Sequence, residues 1–209
     1  MKKLGFPALL VSIVAVMIGI FIIGNRGAEN PAQAKIEGLK TFNNQDRNHV
    51  KETVQYAQTP AAGGNHDAVW PDCNGKAYDQ PLRNENAVHA LEHGAVWVTY
   101  KEGTEQKQVD ALKKKITGKQ YVMMSPLADQ SDQIMMTAWN NQLSLSSADD
   151  SKFDQFMTAF SQSSSAPEPG ATCSAAGGGA QPGGGAPTAP GGGLNPGESA
   201  EDHAKESQQ

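Results

Sequence analysis

The chain has 209 residues and a formal net charge of −5, with 19% charged and only 6% aromatic residues. Its length allows one or two domains, and an acidic balance without a basic cluster argues against nucleic acid as a partner. Most of the aromatic residues fall between Phe42 and Phe160, which points to one modest core there and to ends of a different nature.

Lys2 and Lys3 precede an apolar run from Ala8 to Gly24 in which only Ser12 is polar. As a helix that run is roughly 25 Å long, enough to cross a hydrocarbon core with Phe6 and Asn25 as slack. Residues 1–25 are therefore read as an uncleaved transmembrane anchor. Lysines before the span and only Arg26 just after it put the N-terminus in the cytoplasm and the main domain outside. The alternative is a cleavable signal peptide, whose apolar region usually runs about 7–15 residues. A cleavage-like Ala32-Gln33-Ala34 stands well beyond the run. Residues 26–47, polar and carrying Gly, Pro and Asn, read as a stalk.

From His49 the pattern changes. Val50, Val54 and Tyr56 recur at even spacing and predict a strand, which Thr59 through His66 break with Pro and paired Gly. Val69 through Gly75 continue as irregular chain, with Asn74-Gly75 a turn signal. A short helix is then expected from Glu85, capped by Asn84 and stopped by Gly94. Counting roughly 100° per residue, Ala87, Val88 and Leu91 make an apolar face. His89, His93, Glu92 and Glu85 share one flank of this helix, which is expected to bury a single face. That flank is the only concentrated chemistry in the sequence.

Residues 95–100 follow as a strand apolar on both faces, hence central. A second helix is predicted after a Thr104 cap, with Val109, Leu112 and Ile116 as its buried stripe and Gly118 as its stop. Residues 120–125, 133–139 and 142–145 read as strands, with Asn140-Asn141 a turn. Ser147 and Asp150 resemble a capping box before a last helix striped by Phe153, Phe156, Met157 and Phe160. This order gives a single small α+β domain with a mixed or antiparallel sheet, over residues 48–173. Residues 174–209 are read as a disordered Gly/Pro-rich tail, because such a composition buries too little apolar surface to offset backbone entropy.

Gly64-Asn65-His66, Trp70 through Cys73 with Gly75, and Val88-His89-Ala90-Leu91-Glu92-His93-Gly94-Ala95-Val96-Trp97 form a recognisable series. Together with Ser125-Pro126, Ala138-Trp139 and Pro167-Glu168-Pro169-Gly170 ahead of Cys173, they resemble the bacterial family DUF3105, over about residues 48–175. The resemblance implies a membrane-anchored domain and supports its limits. It implies no reaction, since the family has no established activity.

Histidines at i and i+4 point the same way and can share one ion. His66, delivered by the Gly63-Gly64 loop, is the expected third ligand, with His49 or Glu85 in reserve and Glu92 as ligand or orienter. Zinc or copper is the expected metal, in a binding, storage or accessory role. The letters His-x-x-Glu-His also fit a zinc hydrolase, which needs a further ligand and an open position. A third possibility is a purely structural network in a module that docks another envelope protein. Met123, Met124, Met135 and Met136 lie on strands expected to be neighbours; two of them meeting beside the histidines would favour Cu(I), although methionine more often fills core gaps. Cys73 and Cys173, the only cysteines, are expected to form a disulfide in an oxidising compartment; the alternative is Cys73 as a metal ligand and an idle Cys173.

Overall fold

The computed structural model describes residues 36–175. The expected anchor, the first part of the stalk and nearly all of the tail lie outside the described residues. Among the described residues, no helix is long and apolar enough to cross a membrane.

Six strands form one mixed sheet. They are β1 (Lys40–Thr41), β2 (Asn74–Ala77), β3 (Val96–Tyr100), β4 (Val122–Pro126), β5 (Ile134–Ala138) and β6 (Asn141–Leu145), in the spatial order β1-β6-β5-β3-β4-β2. β2, β4 and β3 run parallel, and β3 with β5, β5 with β6 and β6 with β1 run antiparallel. Three helices complete the chain order: α1 (Asn84–Glu92) before β3, α2 (Gln106–Ile116) after it, and α3 (Lys152–Phe160) at the end. The domain is α+β, with β3 central between β4 and β5 as its two-faced apolar pattern requires.

Alternation along β3 builds two cores. Val96 and Val98 point to the face covered by α2 and α3, where Val109, Leu112, Ile116, Phe153, Phe156 and Phe160 are buried. Trp97 points to the other face, where it packs with Val88 and Leu91 of α1 and with Cys73 and Met123. The two helical stripes of the first face match those read from the sequence. The second face positions the histidines.

Several local expectations fail for identifiable reasons. Residues 49–56 form no strand: Val50 N–H donates to His66 O and His66 N–H to Asn48 O, an isolated bridge of 2.7 and 3.0 Å. Beyond it Val54 N–H turns to the Glu85 carboxylate at 2.7 Å, so no ladder continues. Asn74-Gly75 is not a turn between elements but the start of β2, with a bulge between Asn74 and Lys76 that absorbs the glycine. The later part of the supposed stalk belongs to the domain, since Lys40–Thr41 pairs with β6 and Ile36 is buried in the first core.

The helix starts also differ. Arg83, Glu105 and Ser151 hold the N-cap positions, none with a side-chain cap bond. Asn84 is already helical, and its Oδ1 is buried without a partner. Thr104 Oγ1 donates instead to Lys101 O at 2.7 Å. Asp150 serves the start of α3, accepting from Lys152 N–H at 3.0 Å.

Candidate metal centre

Helix α1 is buried all round, from Glu85 through Glu92, and not on one face as its periodicity suggests. The sheet covers its apolar side. Two segments remote in sequence cover the flank with the histidines: the loop from His49 to Trp70, and a strap after α3. The strap satisfies carbonyls that the helix end leaves without partners, with Glu168 N–H on Glu92 O (2.9 Å) and Gly170 N–H on His93 O (3.1 Å). The helix closes as a Schellman motif, with Ala95 N–H on Ala90 O and Gly94 N–H on Leu91 O, each at 3.0 Å. Gly94 takes the left-handed position at φ 90°. This closure sends the chain straight into β3 and fixes the azimuth of His89, Glu92 and His93 against the sheet.

Each buried imidazole gives its Nδ1–H to a backbone carbonyl. His66 donates to Gly64 O at 2.8 Å, His89 to Asp67 O at 2.7 Å, and His93 to Thr172 O at 2.9 Å. A carbonyl only accepts, so these contacts fix the donor nitrogen, and in a neutral ring Nε2 is left as a lone pair. Burial, aided by the nearby His93 and His66, pushes His89 well below its ordinary value. Burial also brings His93 down to about 4, against the pull of the Thr172 carbonyl and Glu92. Both rings are therefore neutral at neutral pH.

The Nε2 atoms converge. His89 Nε2 lies 3.0 Å from His93 Nε2, and His66 Nε2 lies 2.8 Å from Glu92 Oε2. The second contact is close enough for an ion pair but lacks hydrogen-bond direction, so His66 Nε2 is buried with no hydrogen-bond partner. The ligand atoms of His49, His66, His89 and Glu92 all lie within 4.8 Å of one another. This His₃Glu group, with His66, His89 and Glu92 buried and His49 exposed, is compact enough to hold a metal ion.

The expected set of His66, His89, His93 and Glu92 is thus brought together with one rearrangement. His49, held in reserve by the sequence, joins the mutually close group through its bridge to His66. His93 stands outside that group but touches His89. The other reserve, Glu85, is engaged elsewhere: it pairs with Arg83 Nε at 3.0 Å and accepts from Val54.

Rings wall the centre. Trp70 lies 4.9 Å from both His89 and His93, and Trp139 stands edge-on to His66 at 6.1 Å. Met124 and Met136 flank Val98 and pack on the α2–α3 face, away from α1. Met123 and Met135 pair on opposite sides of β3, and strands two places apart in a sheet stand roughly 10 Å apart. Met124 and Met136 thus fill the first core and Met123 the second, the commoner use of methionine.

Sequence reasoning missed the support around the centre. Arg83 contacts Asp67 Oδ2 at 2.6 Å and donates to Lys51 O and Glu52 O, at 3.0 and 3.1 Å. It staples both loop segments to the start of α1 and so places the Asp67 carbonyl on His89. No spacing signal marks Arg83 or Asp67, because each acts through a backbone contact that only the fold creates. Cys73 and Cys173 are joined in a disulfide with Cα atoms 5.0 Å apart, which excludes Cys73 as a ligand. The bridge holds the strap that carries Thr172.

The family model for a protein of unknown function, DUF3105, matches residues 49–175. The chain belongs to the DUF3105 family. The match begins at His49 and ends just past Cys173, so it takes in the whole ligand group and the disulfide. No curated protein and no solved structure matches the chain.

Proposed function

We propose that this DUF3105 domain binds one divalent transition metal ion through His66, His89 and Glu92, with His49 completing the set and His93 adjoining it. The observation that carries the proposal is the common orientation of three buried imidazoles. Each is locked through Nδ1–H onto a main-chain carbonyl, and the Nε2 atoms face one another, for His89 and His93, or the Glu92 carboxylate, for His66. Outer contacts of that kind are what fix the tautomer and aim of metal-bound histidine. A metal-free network needs hydrogens between facing groups, and the 3.0 Å approach of two neutral Nε2 atoms has none to offer. Imidazole with carboxylate suits Zn(II) or Cu(II).

The role is binding, storage or an accessory one, on a domain tethered to the membrane by residues 1–25 and displayed on the extracytoplasmic side. The disulfide supports that placement, since such bridges persist in oxidising compartments. The test is elemental analysis of the detergent-solubilised full chain after chelation and reloading with Zn(II) or Cu(II). About one equivalent is expected. His66→Ala and Glu92→Gln should lose it while keeping the far-UV spectrum of the wild type, and His203→Ala in the tail should change nothing. A metal-free wild-type chain that gains no thermal stability from excess Zn(II), Cu(II) or Cu(I) would overturn the proposal.

A further inference from the structure

We infer that the centre keeps one place for an oxygen ligand from outside the protein, a water molecule at rest. Trp70 holds it by donating the indole N–H, and His93 holds it by accepting a hydrogen bond at Nε2. The inference rests on the metal reading above and adds what the protein's own ligands leave open.

Two polar atoms carry it. The first is Trp70 Nε1, which is sealed from solvent and has no hydrogen-bond partner among the described residues. A buried N–H without an acceptor is costly, and it is explained where something outside the chain supplies the acceptor. The indole is positioned from α1: the buried Asn86 side chain donates to Val69 O at 2.7 Å, and Val69 N–H donates to the Asp67 carboxylate at 2.9 Å. Its ring centre stands 4.9 Å from those of both His89 and His93, which are themselves 4.6 Å apart.

The second atom is His93 Nε2. With Nδ1–H given to Thr172 O it carries a lone pair, and it stands 3.0 Å from His89 Nε2. His93 nevertheless falls outside the mutually close group of His49, His66, His89 and Glu92. Glu168 Oε2, at 3.9 Å, is beyond hydrogen-bond reach of this nitrogen. Once an ion takes the His89 lone pair, His93 is left as an acceptor beside the ion. One water on the ion answers both atoms, since its oxygen accepts from Trp70 and its hydrogen goes to His93. The pair therefore favours a ligand that carries a proton, a water or hydroxyl oxygen, over an aprotic anion.

The test loads the full chain in detergent with Co(II) and follows its visible absorption as azide is added at neutral pH. Azide displaces the water and accepts from Trp70, but it has no proton for His93. The wild type should respond saturably. Trp70→Phe keeps an aromatic ring and removes the donor, so it should bind Co(II) as before and azide about 10- to 100-fold more weakly, as for loss of a hydrogen bond to a charged group. His93→Phe should still load with excess Co(II) and bind azide at least as tightly as the wild type, because the opposing lone pair is gone. A general loss of packing would move both variants the same way. One measurement needs no substitution: Cu(II)-loaded wild type should speed the relaxation of solvent protons, and azide should suppress that effect.

A wild-type chain that takes up neither Co(II) nor Cu(II) removes the metal reading, and this inference with it. A wild type that loads, yet neither responds to azide nor acts on solvent protons, has a closed ligand set and removes this inference alone. So does a Trp70→Phe chain with wild-type azide affinity, or a His93→Phe chain that loads no ion and so marks His93 as a ligand. Should Trp70→Phe fail to fold, the solvent relaxation of the wild type decides.

Discussion

At the scale of single residues, the centre is governed by which nitrogen of each ring is engaged. His89 and His93 lie four apart in sequence, yet the carbonyls that lock them come from Asp67 and Thr172, far apart in the chain. Both rings are held neutral by burial, and this has a signed consequence for stability. An unfolded histidine titrates near 6.5, while folded His93 titrates at about 4. Between those values the unfolded chain binds a proton that the folded chain refuses. The contribution is therefore nil above 6.5, and stability falls as the pH drops from there towards 4. At about 1.4 kcal/mol per pH unit, His93 alone accounts for a loss on the order of 3 kcal/mol, and His89 adds in the same direction. Thermal melts of chelator-treated wild type and His93→Gln at pH 7 and pH 5 check this. The wild type should lose more stability between the two, and an equal loss in both would refute it. The shared flank of His89, Glu92 and His93 was legible in the sequence because helical azimuth follows from spacing alone. Its burial was not, because the groups that cover it lie far away in the chain and leave no periodic trace. His49 stayed in reserve for the same reason, since it is brought in by a bridge to His66 and ring contacts that leave no trace in the sequence.

At the scale of elements, the junction of α1 with β3 does most to place the site. Gly94 makes the left-handed closure, and a Cβ there would meet the Gln162 Cα at 3.0 Å. That neighbour is backbone and cannot swing away. Gly118 closes α2 at a similar φ of +76°, but a Cβ there meets nothing within 4 Å. Gly118→Ala should therefore cost about 1 kcal/mol from conformation alone. Gly94→Ala should cost about 2 kcal/mol or more, and should weaken metal binding because the last turn of α1 shifts with it. Denaturant midpoints of the two variants, read beside their metal content, decide the matter. Equal midpoints would mean that the strap yields freely. Both glycine stops were readable in advance, as were the stripes of α2 and α3, because each rests on chemistry inside one short window. The helix starts and the segments 49–56 and 74–77 were not. Thr104 and Asn84 have the side chains of caps, but a nearby carbonyl takes the first and burial isolates the second. Val50 and Val54 alternate like a strand and then donate to different partners, so no ladder forms.

At the scale of the whole molecule, one covalent link sets how the centre depends on its surroundings. Cys73 stands next to β2, where its carbonyl accepts from Val122 and its N–H donates to the Cys173 carbonyl. Cys173 ends the strap that crosses the last turn of α1. The bridge joins residues 100 apart in sequence, and in the chain-entropy account a loop of that size constrains the unfolded state by roughly 4–5 kcal/mol. Removing a native disulfide from a small domain costs about 2–5 kcal/mol in practice, so the Cys73→Ser, Cys173→Ser double variant should melt well below the wild type. A second effect is local. Thr172 adjoins Cys173, and its carbonyl is the acceptor that holds His93 against His89. With the link gone, His93 should lose its fixed tautomer, whereas His66 and His89 keep acceptors in the Gly64–Asp67 loop that the link does not touch. The double variant should therefore still bind one ion through His66, His89 and Glu92, but more weakly, because the His93 ring that packs on His89 is no longer held in place. Isothermal titration with Zn(II) at a temperature where both proteins remain folded measures this, and unchanged affinity would show that the strap acts on stability alone. The same cysteines report on location: chain harvested from cells with thiols blocked at lysis should show no free thiol before reduction. Two blocked thiols in that sample would count against an oxidising compartment, and so against display of the domain outside the cell.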